Sequence, residues 1–461
     1  MSYILLIFYF VLLLYFIYNN EFYTSILFPK YIPLVLFTLK FIAGVGVYII
    51  YSKFYGDRSS SDMFNYFDDG NIIYSSIYIN PLDYLRMVLG IGADSSHLDV
   101  YYNTCNFWIK DFNYGLINDN RIVIRFNAIV RLFSLGNFHI HTLFMSFISF
   151  TGLWGIFKIF EKEIPLLNEV RQKMLHRNQL FNIYKYNSRN ISLNKWFLIF
   201  VVFFFPSVYF WTSALLKEGI LMFAFGIFLY KFSVLLQTEV SFKNVIWLFV
   251  MAFILLFSKF YVLLASVPGI LFIVLIKKTG DKYFVLKLLS VILLFLILLI
   301  ILKYTGFNIW DILANKQHDF INYVNSSGSV GSKIDIPLLK PTFISVIKNS
   351  PSAMFRTLFR PSVFDVNNIM SLMAALENLL IIGFILLTIM FFNKQNLKNM
   401  WLWFSVIFVV VLFVLSGLTT PVLGALVRYK APALPFLGLI FIYMFDFGKF
   451  NSFIFFKKDK L

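Results

Sequence analysis

Long, strongly apolar runs alternate along this chain with short charged clusters. Residues 193–210 and 285–302 are such runs, and residues 245–276 carry Lys259 as their only charge. A hydrocarbon core about 30 Å thick takes roughly 20 apolar residues per helix. Runs this long and apolar are therefore predicted to be membrane-spanning helices. Barrel strands alternate apolar and polar positions at period two, and these runs do not. The pattern predicts about eleven spans, at 4–17, 31–50, 138–157, 193–210, 220–236, 245–257, 261–276, 284–302, 376–392, 400–416 and 433–447. The sixth and seventh abut at Ser258-Lys259-Phe260, which predicts a tight hairpin or a re-entrant pair. The expected fold is all-α, a polytopic transmembrane helical bundle forming one integral membrane domain over residues 1–461.

The intervening polar residues orient the bundle. Lys158, Lys162, Arg171, Lys173, Arg177, Lys185, Arg189 and Lys195 crowd the segment 158–195, and such cation density marks a cytoplasmic loop. Alternating outward, Lys30, Lys231, Lys243, Lys277, Lys278, Lys394 and Lys449 also fall on that side. The N-terminus is then outside and the C-terminus cytoplasmic. Residues 4–17 lack a basic n-region and a small-residue cleavage site, so they are expected to be a retained helix.

Two long segments, 51–137 and 303–375, fall on the extracytoplasmic side, and loops of such length are usually functional or disordered. In residues 120–133, Ile122, Phe126, Ile129 and Phe133 recur at helical spacing, with Arg121 and Arg125 flanking them. That pattern predicts an amphipathic helix in the membrane interface. Residues 343–359 are predicted to form a second, with Lys348 and Arg356 exposed.

Composition agrees with a membrane protein. The chain is 59% hydrophobic and 14% charged, with a mean hydropathy of +0.77. Soluble domains average about 25% charged residues. The net charge of +17 is accounted for by cytoplasmic loops, so no nucleic-acid partner is expected. The 59 Phe and 26 Tyr suit lipid-facing surface and interfacial belts, with membrane lipids as partners. The single Cys105 excludes an internal disulfide framework and a thiolate metal cluster. The five histidines show no metal-ligand spacing, and no Walker loop, dinucleotide fingerprint or HExxH motif is present.

Four clusters on the outward side carry the candidate chemistry. Asp57 and Asp62 follow the second span, and carboxylates near a low-dielectric surface serve as general bases or bind a divalent cation. The alternative is a solvated turn with Asp at a helix start. Lys217 and Glu218 lie between two spans with almost no loop, where ionisable groups line cavities or, alternatively, snorkel and cap. Arg360-Pro361 and Arg428-Tyr429-Lys430 set cations facing outward, suited to phosphate or carboxylate oxygens or to lipid headgroups. All four clusters are expected to converge on one site above the outer leaflet.

This layout resembles bacterial envelope-polysaccharide membrane enzymes, namely the GT-C glycosyltransferases and the O-antigen and exopolysaccharide polymerases. The residues carrying the resemblance are the Gly56-Asp57 to Asp62 loop with the 120–133 helix, and Pro206, Trp211, Thr212, Ser213 and Lys217-Glu218. Arg428-Tyr429-Lys430 with Pro432 and Pro435 complete it. Unlike the GT-C pattern, the Asp loop follows the second span instead of the first. The resemblance implies a glycosyltransferase or polymerase using polyprenyl-(pyro)phosphate-linked sugars at the outer face of the bacterial inner membrane. Asp57 or Asp62 would be the base, and Lys217, Glu218, Arg360, Arg428, Tyr429 and Lys430 would bind substrate. Other envelope polysaccharide assembly proteins would be its partners. A transporter or flippase of an anionic lipid-linked saccharide is the competing expectation, favoured by Lys40 in mid-span and by a helix break at Pro268-Gly269.

Overall fold

The computed structural model describes residues 2–54, 58–108, 119–164, 195–237, 239–306, 308–326 and 332–456. Among the described residues the named elements are all helices, and β pairing is limited to isolated bridges joining Lys333 to Val422 and Phe392 to Phe445. The all-α helical-bundle class therefore holds. Nine helices among the described residues are long and apolar enough to cross a membrane. Asp57 and residues 165–194, most of the expected cytoplasmic loop, lie outside the described residues.

Two local features bear on the expected spans. At Ser258-Lys259-Phe260, where a tight hairpin or a re-entrant pair is expected, two helices within Phe242–Thr279 meet at a kink, and Lys259 alone leaves helical geometry (φ −150°, ψ 83°). Pro268 is accommodated inside the second of them, so the break expected at Pro268-Gly269 does not occur. The run 193–210 is helical over 195–203, stops, and resumes as the short helix Pro206–Trp211. Proline lacks the amide proton and its ring crowds the carbonyl four residues back, so one continuous helix through Pro206 is disfavoured. The last span also starts earlier than its apolar run: it covers Leu423–Met444, so Arg428, Tyr429 and Lys430 lie within it.

The chain divides into two compact units. The first comprises Met1–Ile159 and Tyr209–Phe260. In it the helices Phe138–Glu163 and Lys217–Gln237 approach closely at glycines: a Cβ on Gly226 would sit 1.9 Å from the Gly152 carbonyl oxygen. Small residues at such crossings let backbones meet where lipid offers no hydrophobic drive to helix association.

The segment after the second span is folded. Helix Asp62–Ser75 packs on Asn120–Ser134, and Gly70 makes room for Asn127, whose Cβ would lie 2.5 Å from an added methyl. The predicted helix is present, but its buried face is Arg121, Val123, Ile124, Asn127 and Ala128. The Ile122, Phe126, Ile129 and Phe133 stripe is left half-buried to exposed. Protein packing claimed the polar-flanked side because Asn127 is satisfied there, donating to Tyr66 O at 3.2 Å and Val123 O at 3.0 Å.

The second unit comprises Phe160–Val208 and Tyr261–Leu461. Helix Phe343–Phe359, at the predicted bounds, lies against Met400–Thr419 so closely that a Cβ on Gly417 would stand 2.3 Å from Ala353 O. Thr357 Oγ1 donates to Phe413 O at 2.8 Å across the same contact. Ile309–Ser326 completes this region with Trp310, Leu313, Leu339, Val346 and Leu418 in its core. Gln317 clamps it, donating to Pro337 O and Leu418 O and accepting from Leu339 N. Lys348 is exposed as expected, whereas Arg356 is half-buried.

Candidate functional site

In the second unit a polar network joins two of the clusters that the sequence keeps seventy residues apart. Lys430, fully buried, donates to Asn378 Oδ1 at 2.6 Å and toward Thr357 O at 3.4 Å. Asn378 in turn donates from Nδ2 to Pro361 O at 2.7 Å, which ties the Arg360-Pro361 turn to the same point. Glu377, also buried, accepts from the backbone N–H of Ser207 at 2.6 Å and from its hydroxyl at 2.8 Å. Those donors are available because Ser207 sits in the first turn of Pro206–Trp211, where amides lack intrahelical acceptors. Lys430 and Glu377 make no direct ion pair; each is the charge the other feels through space, while neutral amide and hydroxyl groups fill the contact positions.

Arg356 lies in the last turn of Phe343–Phe359, and Arg360 caps that helix in extended geometry, its N–H donating to Arg356 O at 2.9 Å. Arg360 forks onto Asp365, with Nε 3.2 Å from Oδ2 and Nη2 in close contact with Oδ1. Asp365 also accepts from the Ser362 N–H at 2.7 Å and hydroxyl at 2.8 Å. The Arg360 guanidinium, with these Ser362 donors, holds the Asp365 carboxyl down to about 2, and Asp365 pushes Arg360 up. Arg356 donates to Ser352 Oγ at 2.5 Å and Gly417 O at 3.2 Å. Burial, and then the neighbouring Arg360, lower its pKa. Tyr429 is within ring contact of Tyr261, at 6.4 Å between centroids. Arg428 stands on the helix Leu423–Lys430 that carries Lys430.

The remaining candidates belong to the first unit. Asp62 is the first residue of Asp62–Ser75 and is half-buried. Lys217 pairs with Asp119 at 2.5 Å and lies 5.9 Å from the Tyr66 ring centre. Its neighbour Glu218 is buried and pairs with Lys259 at 2.7 Å, at the kink. The adjacent charges thus serve two different ion pairs. Lys40, fully buried, donates to Thr212 Oγ1 at 2.7 Å and Ser213 Oγ at 3.2 Å, with the Tyr209 ring 5.5 Å away.

Asp69, close to the nominated Asp62, is the most enclosed carboxylate of this folded segment. It accepts from the amides of Asn106 at 2.8 Å and Phe107 at 2.7 Å. Burial raises its pKa against the pull of those bonds. Among the described residues no group of three His, Cys, Asp or Glu is placed to hold a metal ion.

The structure therefore brings Arg360 and Lys430 into one network within the second unit, and places Asp62, Lys217 and Glu218 in the first. Glu377, Asn378, Ser207, Thr357 and Arg356 were missed as site members. One signal was available: Glu377 is the sole charge in the apolar helix Ile369–Met390, and ionisable residues at such depth are costly and commonly functional. The chain matches no family model, no curated protein and no solved structure.

Proposed function

We propose that the protein is an integral membrane enzyme that transfers or polymerises sugars carried on a polyprenyl-(pyro)phosphate, working at the extracytoplasmic face. The observation that carries this reading is the network in which Lys430, Asn378 and Pro361 tie the Arg360 turn to a buried cation, with the buried carboxylate Glu377 next to Asn378 in the same helix. Transfer from a lipid phosphate needs cations that stabilise the departing phosphate, commonly the largest catalytic contribution. Arg360, Arg428 and Lys430 are the nominated cations, with Tyr429 beside them. The acceptor hydroxyl must also lose its proton to a carboxylate. Asp57 and Asp62 are nominated from the outward Asp segment, and Glu377 is the carboxylate inside the second unit's network. The phosphoester supplies the driving energy, so no nucleotide motif is required.

The test is product formation in membranes from a polyprenyl-pyrophosphate-linked sugar. Asp57→Asn, Asp62→Asn and Glu377→Gln are assayed separately, each with its melting temperature. One of them is expected to lose product while keeping its melting temperature; full product from all three would refute the reading.

A second reading, transport of an anionic lipid-linked saccharide, is favoured by the Lys259–Glu218 pair at the kink of Phe242–Thr279 and by Lys40 in mid-span. Transporters commonly place binding sites at interrupted helices near the midplane. Movement of labelled substrate across proteoliposomes without any acceptor sugar would favour it over the enzyme.

A further inference from the structure

Charge balance in the second unit is uneven. The Lys430 ammonium faces Glu377, and Arg360 is forked onto Asp365. Arg356 has only a hydroxyl and a carbonyl as acceptors, its Nε is buried without an acceptor, and no carboxylate pairs with it among the described residues. The close approach at Gly417 is what brings that carbonyl within reach, so the guanidinium is held in place by neutral groups. A planar, oriented guanidinium without a carboxylate partner is suited to a phosphate oxygen. Two exposed aromatics adjoin these residues in sequence: Phe355, next to Arg356, is 63% exposed, and Phe364, next to Asp365, is 99% exposed. Exposed aromatics next to arginine fit a bilayer surface, where phosphates sit at the end of apolar chains.

We infer that Arg356 and Arg360 form a two-guanidinium site for the phosphate of a lipid, in which Asp365 occupies Arg360 as an internal competitor that the phosphate displaces. Arg356 makes the first contact. Arg360, the C-cap residue whose N–H bonds the Arg356 carbonyl and whose charge acts on Arg356, then exchanges one oxyanion partner for another, so its charge is never stranded. The identification of this lipid as the sugar carrier rests on the function proposed above; the phosphate chemistry does not.

The experiment measures binding of a short-chain polyprenyl monophosphate to the full-length protein in neutral-lipid nanodiscs, with phosphatidic acid and inorganic phosphate as competitors. Arg356→Ala is expected to weaken binding roughly ten- to hundredfold, the range for one lost charge-assisted contact. Arg356→Lys, which keeps the charge and loses the fork, should fall between. Asp365→Asn should strengthen binding several-fold by releasing Arg360. Lys348→Ala, on the same helix and exposed, should change nothing. Melting temperatures of all variants identify any that misfold, and Arg356→Lys keeps the test decisive if Arg356→Ala does.

Unchanged affinity in Arg356→Lys and Arg356→Ala, or weaker binding in a well-folded Asp365→Asn, overturns the inference. Preference for the polyprenyl probe supports the site with the carrier as its ligand. Equal competition by phosphatidic acid supports it with bulk lipid as the source, and equal competition by inorganic phosphate supports it with free phosphate. Sugar transfer measured in parallel separates the two proposals. Binding lost in Arg356→Ala, with no transfer even by the unsubstituted protein, upholds the site and ends the enzyme reading; normal transfer with unaltered binding in Arg356→Ala does the reverse.

Discussion

Replacing Glu377 by Leu removes a buried carboxylate whose charge acts on Lys430 through space and leaves the Ser207 amide and hydroxyl without their acceptor. Stranding one member of a buried pair of charges costs about 3–5 kcal/mol, and an orphaned buried donor about 1–3 kcal/mol more. Lys430→Met strands the carboxylate instead, at a similar cost of about 3–5 kcal/mol. The double substitution removes both charges together, and apolar replacement of a whole buried pair is often close to neutral. Taking about 2–4 °C per kcal/mol for a unit of this size, Lys430→Met should therefore melt roughly 6–20 °C lower and Glu377→Leu roughly 8–32 °C lower. The double variant should recover at least half of the larger loss. Asn378 retains its bond to Pro361 in every variant, so the Arg360 turn is a constant background. The assay is thermal unfolding of purified protein in one fixed detergent, followed by intrinsic fluorescence and checked by a protease-resistance midpoint. Melting losses that simply add in the double variant would show that the two charges do not interact, and their through-space coupling would be refuted.

Four further predictions rest on separate features. Gly226→Ala puts a methyl 1.9 Å from the Gly152 carbonyl oxygen, so the two helices must part and stability should fall by about 1–3 kcal/mol or more, read as a lower melting temperature; an unchanged value would contradict the close crossing. Asp69→Asn should cost about 1–3 kcal/mol, since one of the two amides it serves loses its acceptor, with unaltered denaturant stability as the refuting result. Burial raises the Asp69 pKa, so its protonation is favoured more in the folded than in the unfolded chain; its contribution is full below the ordinary value of 3.8 and is lost as pH rises through the folded value. Melting curves across that acid window should show this slope in the unsubstituted protein and lack it in Asp69→Asn. Lys40→Met removes a buried ammonium whose acceptors are two hydroxyls, and should leave stability unchanged or raised; a loss of several degrees would mean the ammonium is needed by the fold.

The membrane class, the all-α fold and most helix positions were legible because span formation is a local property: a run of about 20 apolar residues satisfies its own backbone and needs no distant partner. The 343–359 helix was legible for the same reason, its period and polar flanks being contained in its own seventeen residues. Where a single residue acted on the local backbone, the reading slipped. Lys259 sets the kink between two abutting helices whose mutual geometry hydropathy leaves open, and Pro206 divides a run that hydropathy joins.

The site was legible only in part. Arg360 and Lys430 were nominated as cations, but nothing along the chain reveals that Asn378 joins them, because Pro361, Asn378 and Lys430 meet through packing of separate helices. Lys217 and Glu218, neighbours in sequence, look like a pair with each other, yet they take Asp119 and Lys259 as partners. Consecutive residues on a helix point about 100° apart and do not face each other. Hydropathy is summed along the chain, so the sequence by itself determined where the polypeptide enters lipid. Which carboxylate answers which cation is decided by distances of a few ångströms between segments tens to hundreds of residues apart. In a medium that screens charge so weakly, only the tertiary structure could choose among so few partners.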